Sequence, residues 1–139
     1  MKPKHIKAHV KAAHVYAECS TAVKLKVGAL IVKDDRIISI GYNGMPGGWE
    51  NVCEFTQDDG GLKTRPEVLH AESNAIAKLA RSSEGGDGAT MFITHAPCID
   101  CAKLIYQSGI REVYYTTAYR CTSGIEFLQK CGIKIEQIS

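Results

Sequence analysis

From residue 69 onward the chain alternates between helical and extended patterns, and this alternation restricts the fold more than any other feature of the sequence. Residues 69–81 carry Leu69, Ile76 and Leu79 at helical spacing and stop at the turn-forming run Glu84-Gly85-Gly86-Asp87-Gly88. An apolar run over 89–94 reads as a strand, 98–108 as a helix closed by Gly109, and 112–117 as another strand. A helix over 124–131, stopped by Gly132, and a last strand over 133–138 repeat the unit. Successive strands joined through helices lie parallel, with the helices crossing over the sheet.

The upstream half has a different rhythm. Ile6, Val10, Ala13 and Ala17 recur at helical spacing over 5–19, and Pro3 suits the start of that helix. Residues 27–32 and 36–40 are short apolar runs separated by Lys33, Asp34 and Asp35, a hairpin pattern. Residues 41–66, rich in Gly, Asn, Asp and Pro around Trp49, Cys53 and Phe55, read as one long functional loop. A hairpin followed by alternating units predicts an α/β fold: a three-layer α/β/α sandwich on a five-stranded mixed sheet, one domain over 1–139.

With 139 residues, 45% of them hydrophobic, the chain can bury one substantial core without disulfides. Seventeen Lys+Arg against 15 Asp+Glu leave a formal charge of +2, short of the basic balance of a dedicated nucleic-acid binder. Lys2, Lys4, His5 and Lys7 are followed by no signal-peptide core, and no run is long enough to span a membrane. A cytoplasmic protein is the expectation. In that reducing compartment six cysteines serve metal binding, catalysis or burial rather than disulfides.

Two short segments concentrate the chemistry. His70-Ala71-Glu72 opens one predicted helix, and Pro97-Cys98-Ile99-Asp100-Cys101 opens another. Residues three apart share a helix face, so Cys98 and Cys101 can address one ion, and a helix N-terminus favours the thiolates that bind it. With His70 they make three ligands, the number that leaves a zinc ion an open position for water. Two thiolates neutralise much of the ion's charge, so a nearby base is needed, and Glu72 is the candidate. The alternatives are buried thiols beside a core histidine, or a closed structural zinc completed by a residue such as Cys121.

The pair H-x-E and P-C-x-x-C resembles the signature of zinc-dependent deaminases. The similarity extends to residues 27–29, 36–46, 70–76, 97–102 and 108–110, which look like the deoxycytidylate deaminases. The resemblance implies a cytidine deaminase-like sandwich that converts dCMP to dUMP for thymidylate synthesis. It implies catalytic Zn²⁺, a homohexamer, activation by dCTP with Mg²⁺ and inhibition by dTTP. It places Asn43 near the sugar, although a turn asparagine is the plainer reading. Much of the effector site would fall on Gly41, Asn43, Gly44, Met45, Gly47, Trp49 and Glu50, with Arg81 a further anion contact. Some phage-type members are similar in holding a second, structural zinc; here Cys19 and Cys53 with Glu67 would have to supply it, against two buried thiols.

Tyr119 and Arg120 follow a predicted strand, where α/β sheets often place ligands, and are candidates for stacking and phosphate binding. Lys24 and Lys26 are further phosphate candidates or simply solvated charge. Two rival functions share the zinc motif: a tRNA adenosine deaminase-like enzyme, and a non-catalytic zinc-stabilised binding module. The second requires four protein ligands, which separates it structurally from an enzyme.

Overall fold

The computed structural model describes residues 1–139. Helix α1 (Pro3–Ala17) leads into a hairpin of β1 (Gly28–Lys33) and β2 (Arg36–Tyr42), and a smaller hairpin of β3 (Glu54–Thr56) and β4 (Leu62–Thr64) follows. Then α2 (Ala71–Ala80), β5 (Thr90–His95), α3 (Ile99–Gln107), β6 (Glu112–Thr117), α4 (Ser123–Lys130) and β7 (Lys134–Gln137) alternate as the sequence implies. Asp34 and Asp35 turn the first hairpin with φ of 52° and 59°, the left-handed pair of a type I′ turn.

The main sheet runs in the order β2-β1-β5-β6-β7. Its β1–β2 and β1–β5 pairs are antiparallel, whereas β5–β6 and β6–β7 are parallel. Leu30, Val32, Phe92 and Tyr114 pack on one face against Val10 and Ala13 of α1. On the other face Ala29, Ile31, Met91, Ile93 and Val113 meet Ala71, Ala75 and Leu79 of α2, Ala102 and Ile105 of α3, and Leu128 of α4. Both faces are therefore covered, which is why β1 and β5 are continuous apolar runs rather than alternating ones. The five-stranded mixed sheet in a three-layer sandwich agrees with the sequence pattern.

The segment 41–66 differs from its reading as one irregular loop. Strand β2 continues to Tyr42, and β3 pairs with β4 in a two-stranded sheet of its own. Three-residue strands are too short to show a period of two, and Asp58-Asp59-Gly60-Gly61 between them is also what a plain loop would contain.

Helix α2 lies unusually close to β2. A Cβ on Gly41 would stand 2.2 Å from the Ala71 carbonyl oxygen and 2.7 Å from the Ala75 nitrogen. The absent side chain lets the polar groups of the two elements meet. Ser39 Oγ donates to the Ala75 carbonyl at 2.7 Å, Asn74 Nδ2 to Tyr42 at 2.8 Å and Lys78 Nζ to Ile40 at 2.7 Å. Gly28 plays the same part on the opposite face, where a Cβ would stand 2.1 Å from the Ala13 carbonyl oxygen. Gly41→Ala is expected to cost about 1–3 kcal/mol by forcing α2 off the sheet. Gly47→Ala, where nothing lies within 4 Å, should change stability by less than about 0.5 kcal/mol. Equal denaturant midpoints for the two variants would contradict the packing argument.

Candidate active site

Two helix N-termini converge beside the end of β5. His70 immediately precedes α2 and Cys98 immediately precedes α3, both with extended backbone (φ −75°, ψ 152° and φ −71°, ψ 168°). Neither side chain caps its own helix. The imidazole and the thiol are thus free to face each other. The chain before His70 is pinned by a two-bond bridge, Leu69 N–H to the Gly44 carbonyl at 2.8 Å and Gly44 N–H to that of Leu69 at 3.1 Å. The turn before α3 is pressed from outside by α4, where a Cβ on Gly124 would stand 2.1 Å from the Pro97 carbonyl oxygen.

His70 Nδ1 lies 3.3 Å from Cys101 Sγ and 3.7 Å from Cys98 Sγ. All three ligand atoms fall within 4.8 Å of one another. Tetrahedral zinc, with bonds of about 2.0–2.3 Å to nitrogen and sulfur, places neighbouring ligand atoms roughly 3.5–3.8 Å apart. The donor set fits that ion. No fourth His, Cys, Asp or Glu joins the group; Cys121, the candidate for closing it, is exposed with its sulfur 3.0 Å from Ser123 Oγ. The site is built for three protein ligands.

Its electrostatics suit a metal. Hydrogen bonds from Cys101 and His70 pull the Cys98 thiol well below its ordinary value, which favours the thiolate that a metal binds. Its partner Cys101 is pushed up, first by sharing that hydrogen bond and then by burial. A metal that takes both sulfurs as thiolates releases the protons they carry. His70 is raised, chiefly by its bond to Cys98. Glu72, in the first turn of α2, is 5% exposed, and burial raises its carboxyl from 4.5 to about 7. That places it in the range where a carboxyl both takes and gives protons.

A cavity opens on this group, and His70, Ala71, Glu72 and Cys98 form one side of it. Asn43 and Tyr119 line it as well, together with three residues that sequence reasoning did not single out: Glu54, Thr64 and His95. Glu54 and Thr64 were hidden by the unrecognised β3–β4 hairpin, and His95 falls one residue past the strand expected over 89–94, outside any motif. Asn43 spends much of its amide on the protein, accepting from Val27 N–H at 2.9 Å and donating to the Leu25 carbonyl at 2.8 Å. Leu25 and Val27 also face the cavity, whereas Lys24, Lys26 and Arg120 are exposed and do not line it.

The remaining candidates separate. Met45, Trp49 and Glu50 share a second concavity with Val52, Arg65 and Glu67. Gly41 is buried inside β2 against α2 and presents no surface to a ligand. Gly44 is occupied in the bridge to Leu69, and Gly47 stands open. Arg81 ends α2, one helix length of 10 residues from His70, and lies outside the concavity. Cys19, Cys53 and Glu67 form no ligand cluster: Cys19 is exposed, while Cys53 is buried with its sulfur 3.6 Å from Thr21 Oγ1.

A histidine and two cysteines at paired helix starts, with a buried carboxyl beside them on a three-layer sandwich, define the zinc-dependent hydrolytic deaminases as a class. Residues 3–117 match the family model described as the cytidine and deoxycytidylate deaminase zinc-binding region. The chain belongs to that family. It is 34% identical over 144 residues to the deoxycytidylate deaminase of Enterobacteria phage T4, covering 77% of this chain and 75% of that one. The Homo sapiens deoxycytidylate deaminase is 39% identical over 111 residues, covering 74% and 59%. The crystal structure of dCMP deaminase from the cyanophage S-TIM5 in complex with dCMP and dUMP superimposes with a TM-score of 0.93 at 45% identity, over 99% of both chains.

The raised carboxyl of Glu72 has a consequence for the metal-free protein. Between 4.5 and about 7 the unfolded chain has released this proton while the folded chain retains it, so its contribution to stability falls as pH rises through that window. Metal-free Glu72→Gln should therefore exceed the parent in stability by up to about 3 kcal/mol near pH 8, with the gap closing toward pH 4.5. Urea unfolding of chelator-treated proteins measures this. A gap independent of pH would contradict the burial argument.

Proposed function

We propose that the chain hydrolyses dCMP to dUMP and ammonia, with zinc held by His70 Nδ1 and the sulfurs of Cys98 and Cys101. The observation that carries this reading is the three-ligand cluster with the buried Glu72 carboxyl beside it on one cavity. The likeness to the S-TIM5 enzyme over its whole length supports the choice of nucleotide. Zinc bound here supplies Lewis-acid activation of water. Glu72 takes a proton from the attacking water and delivers it to the pyrimidine N3 as the new bond forms at C4. The same carboxylate then takes the remaining proton from the C4 hydroxyl and passes it to the N4 amine, so that the C4 carbonyl of dUMP forms as the C4–N4 bond breaks and ammonia leaves. Apolar Leu25, Val27 and Val68 restrict water in the cavity around the base, and Tyr119 offers a stacking surface.

Regulation belongs to the same proposal. The concavity of Met45, Trp49 and Glu50, together with Arg65, is the site for dCTP with Mg²⁺ as activator and dTTP as inhibitor. Hexamer assembly and a cytoplasmic setting complete the reading; no helix is long and apolar enough to cross a membrane.

A spectrophotometric assay of dCMP, with dCTP, CMP and deoxycytidine as comparison substrates, tests the activity. Glu72→Gln should lower kcat by about 10²- to 10⁴-fold with zinc content unchanged, and near-normal turnover would exclude Glu72 as the proton carrier. A titration with dCTP and dTTP should raise and lower the rate respectively. A flat response to both removes the regulatory claim and leaves the chemistry standing.

A further inference from the structure

We infer that Glu54 binds the 3′-hydroxyl of the nucleotide sugar, a role that rests on reading the cavity as a deoxynucleotide site. Glu54 opens β3, is 7% exposed and lines the cavity that contains Glu72. Its Oε2 accepts two backbone hydrogen bonds, from Val23 N–H at 2.8 Å and Lys24 N–H at 2.9 Å. These fix the rotation of the carboxylate. No lysine, arginine or histidine pairs with it. Oε1 makes no hydrogen bond to the protein, and no fully buried side-chain nitrogen or oxygen in the molecule lacks a partner. Oε1 is therefore not sealed in the wall, and the space that Glu54 borders is the cavity.

A buried carboxylate with one oxygen satisfied and the other open is an acceptor waiting for a donor. A pyrimidine deoxynucleotide brings few donors. Its N4 amine has to face Glu72 and the zinc ligands, where it is lost, and those groups come from α2 and α3 rather than from the outer hairpin. Its 5′-phosphate carries acceptors and negative charge, which a carboxylate repels. The 3′-hydroxyl is the donor left. The bond orients the sugar with its 3′ side toward the hairpin and its phosphate away from it.

The test compares dCMP with 2′,3′-dideoxycytidine 5′-monophosphate in the zinc-loaded parent, Glu54→Gln and Glu54→Ala. A hydrogen bond to a charged acceptor predicts that the parent prefers dCMP by about 10- to 100-fold in kcat/KM, mostly through KM, because the contact is unchanged as the reaction proceeds. In Glu54→Ala the preference should fall to within about threefold, while Glu54→Gln, which still accepts from Val23 and Lys24 and can turn its amide toward the sugar oxygen, retains part of it. Because each preference is a ratio within one protein, loss of overall activity from a disturbed 23–24 segment cancels. A preference as large in both variants as in the parent overturns the assignment and leaves Glu54 a strut for that segment. A parent that turns over neither nucleotide overturns the dCMP reading itself, and the Glu54 proposal with it.

Discussion

The structure depends on bringing two helix N-termini together at one end of a sheet. Each terminus contributes unpaired N–H groups and partial positive charge, and the residues placed there are the ones that profit from both: thiols that ionise, and an imidazole free to turn toward them. At Cys98 the negative sulfur is favoured chiefly by hydrogen bonds from the Cys101 and His70 side chains, with the Cys101 backbone adding to them. Placement of His70 and Cys98 at the caps rather than within the helices keeps their side chains off the helix surface, while Cys101 faces them from the first turn of α3. His70 and Cys98 can then approach to 3.7 Å although 28 residues separate them.

That convergence is held by close backbone contacts rather than by large side chains. Gly41 lets α2 settle on β2, and alanines at positions 71, 75 and 102 keep α2 and α3 near the sheet and each other. Bulk is concentrated deeper, in Ile31, Met91, Ile93 and Ile105, where it fills the core without displacing the helix starts. Glu72 is buried by the same packing. Its raised carboxyl is therefore a product of how tightly the helices lie on the sheet, and the chemistry inherits its acidity from the fold.

Much of this was legible in the residues because local signals and long-range packing agree. Period and turn residues located α2, α3, α4 and the strands between them, and the resemblance of the His70 and Cys98–Cys101 segments to a zinc deaminase signature pointed to the three residues that the fold brings together. What escaped was information that no local pattern carries. Glu54 is one charged residue in a polar stretch, and only the pairing of β3 with β4 turns it inward to bond with Val23 and Lys24. Gly41 was read into the long loop over 41–66 because a glycine near a turn and a glycine under a helix look alike in one dimension. Asn43 shows the intermediate case: it does face the cavity, yet its amide also ties the chain at Leu25 and Val27.

The contact of α4 with the turn before α3 carries an implication for where the metal-binding unit ends. The match to the zinc-binding-region model ends at residue 117, but the backbone that presents Cys98 is buttressed by Gly124, and Leu128 of the same helix is anchored in the core beside α3. The downstream helix thus works as a doorstop behind the sulfur-bearing turn. A fragment cut at the edge of the shared motif would keep every ligand and lose the backing that holds one of them in place.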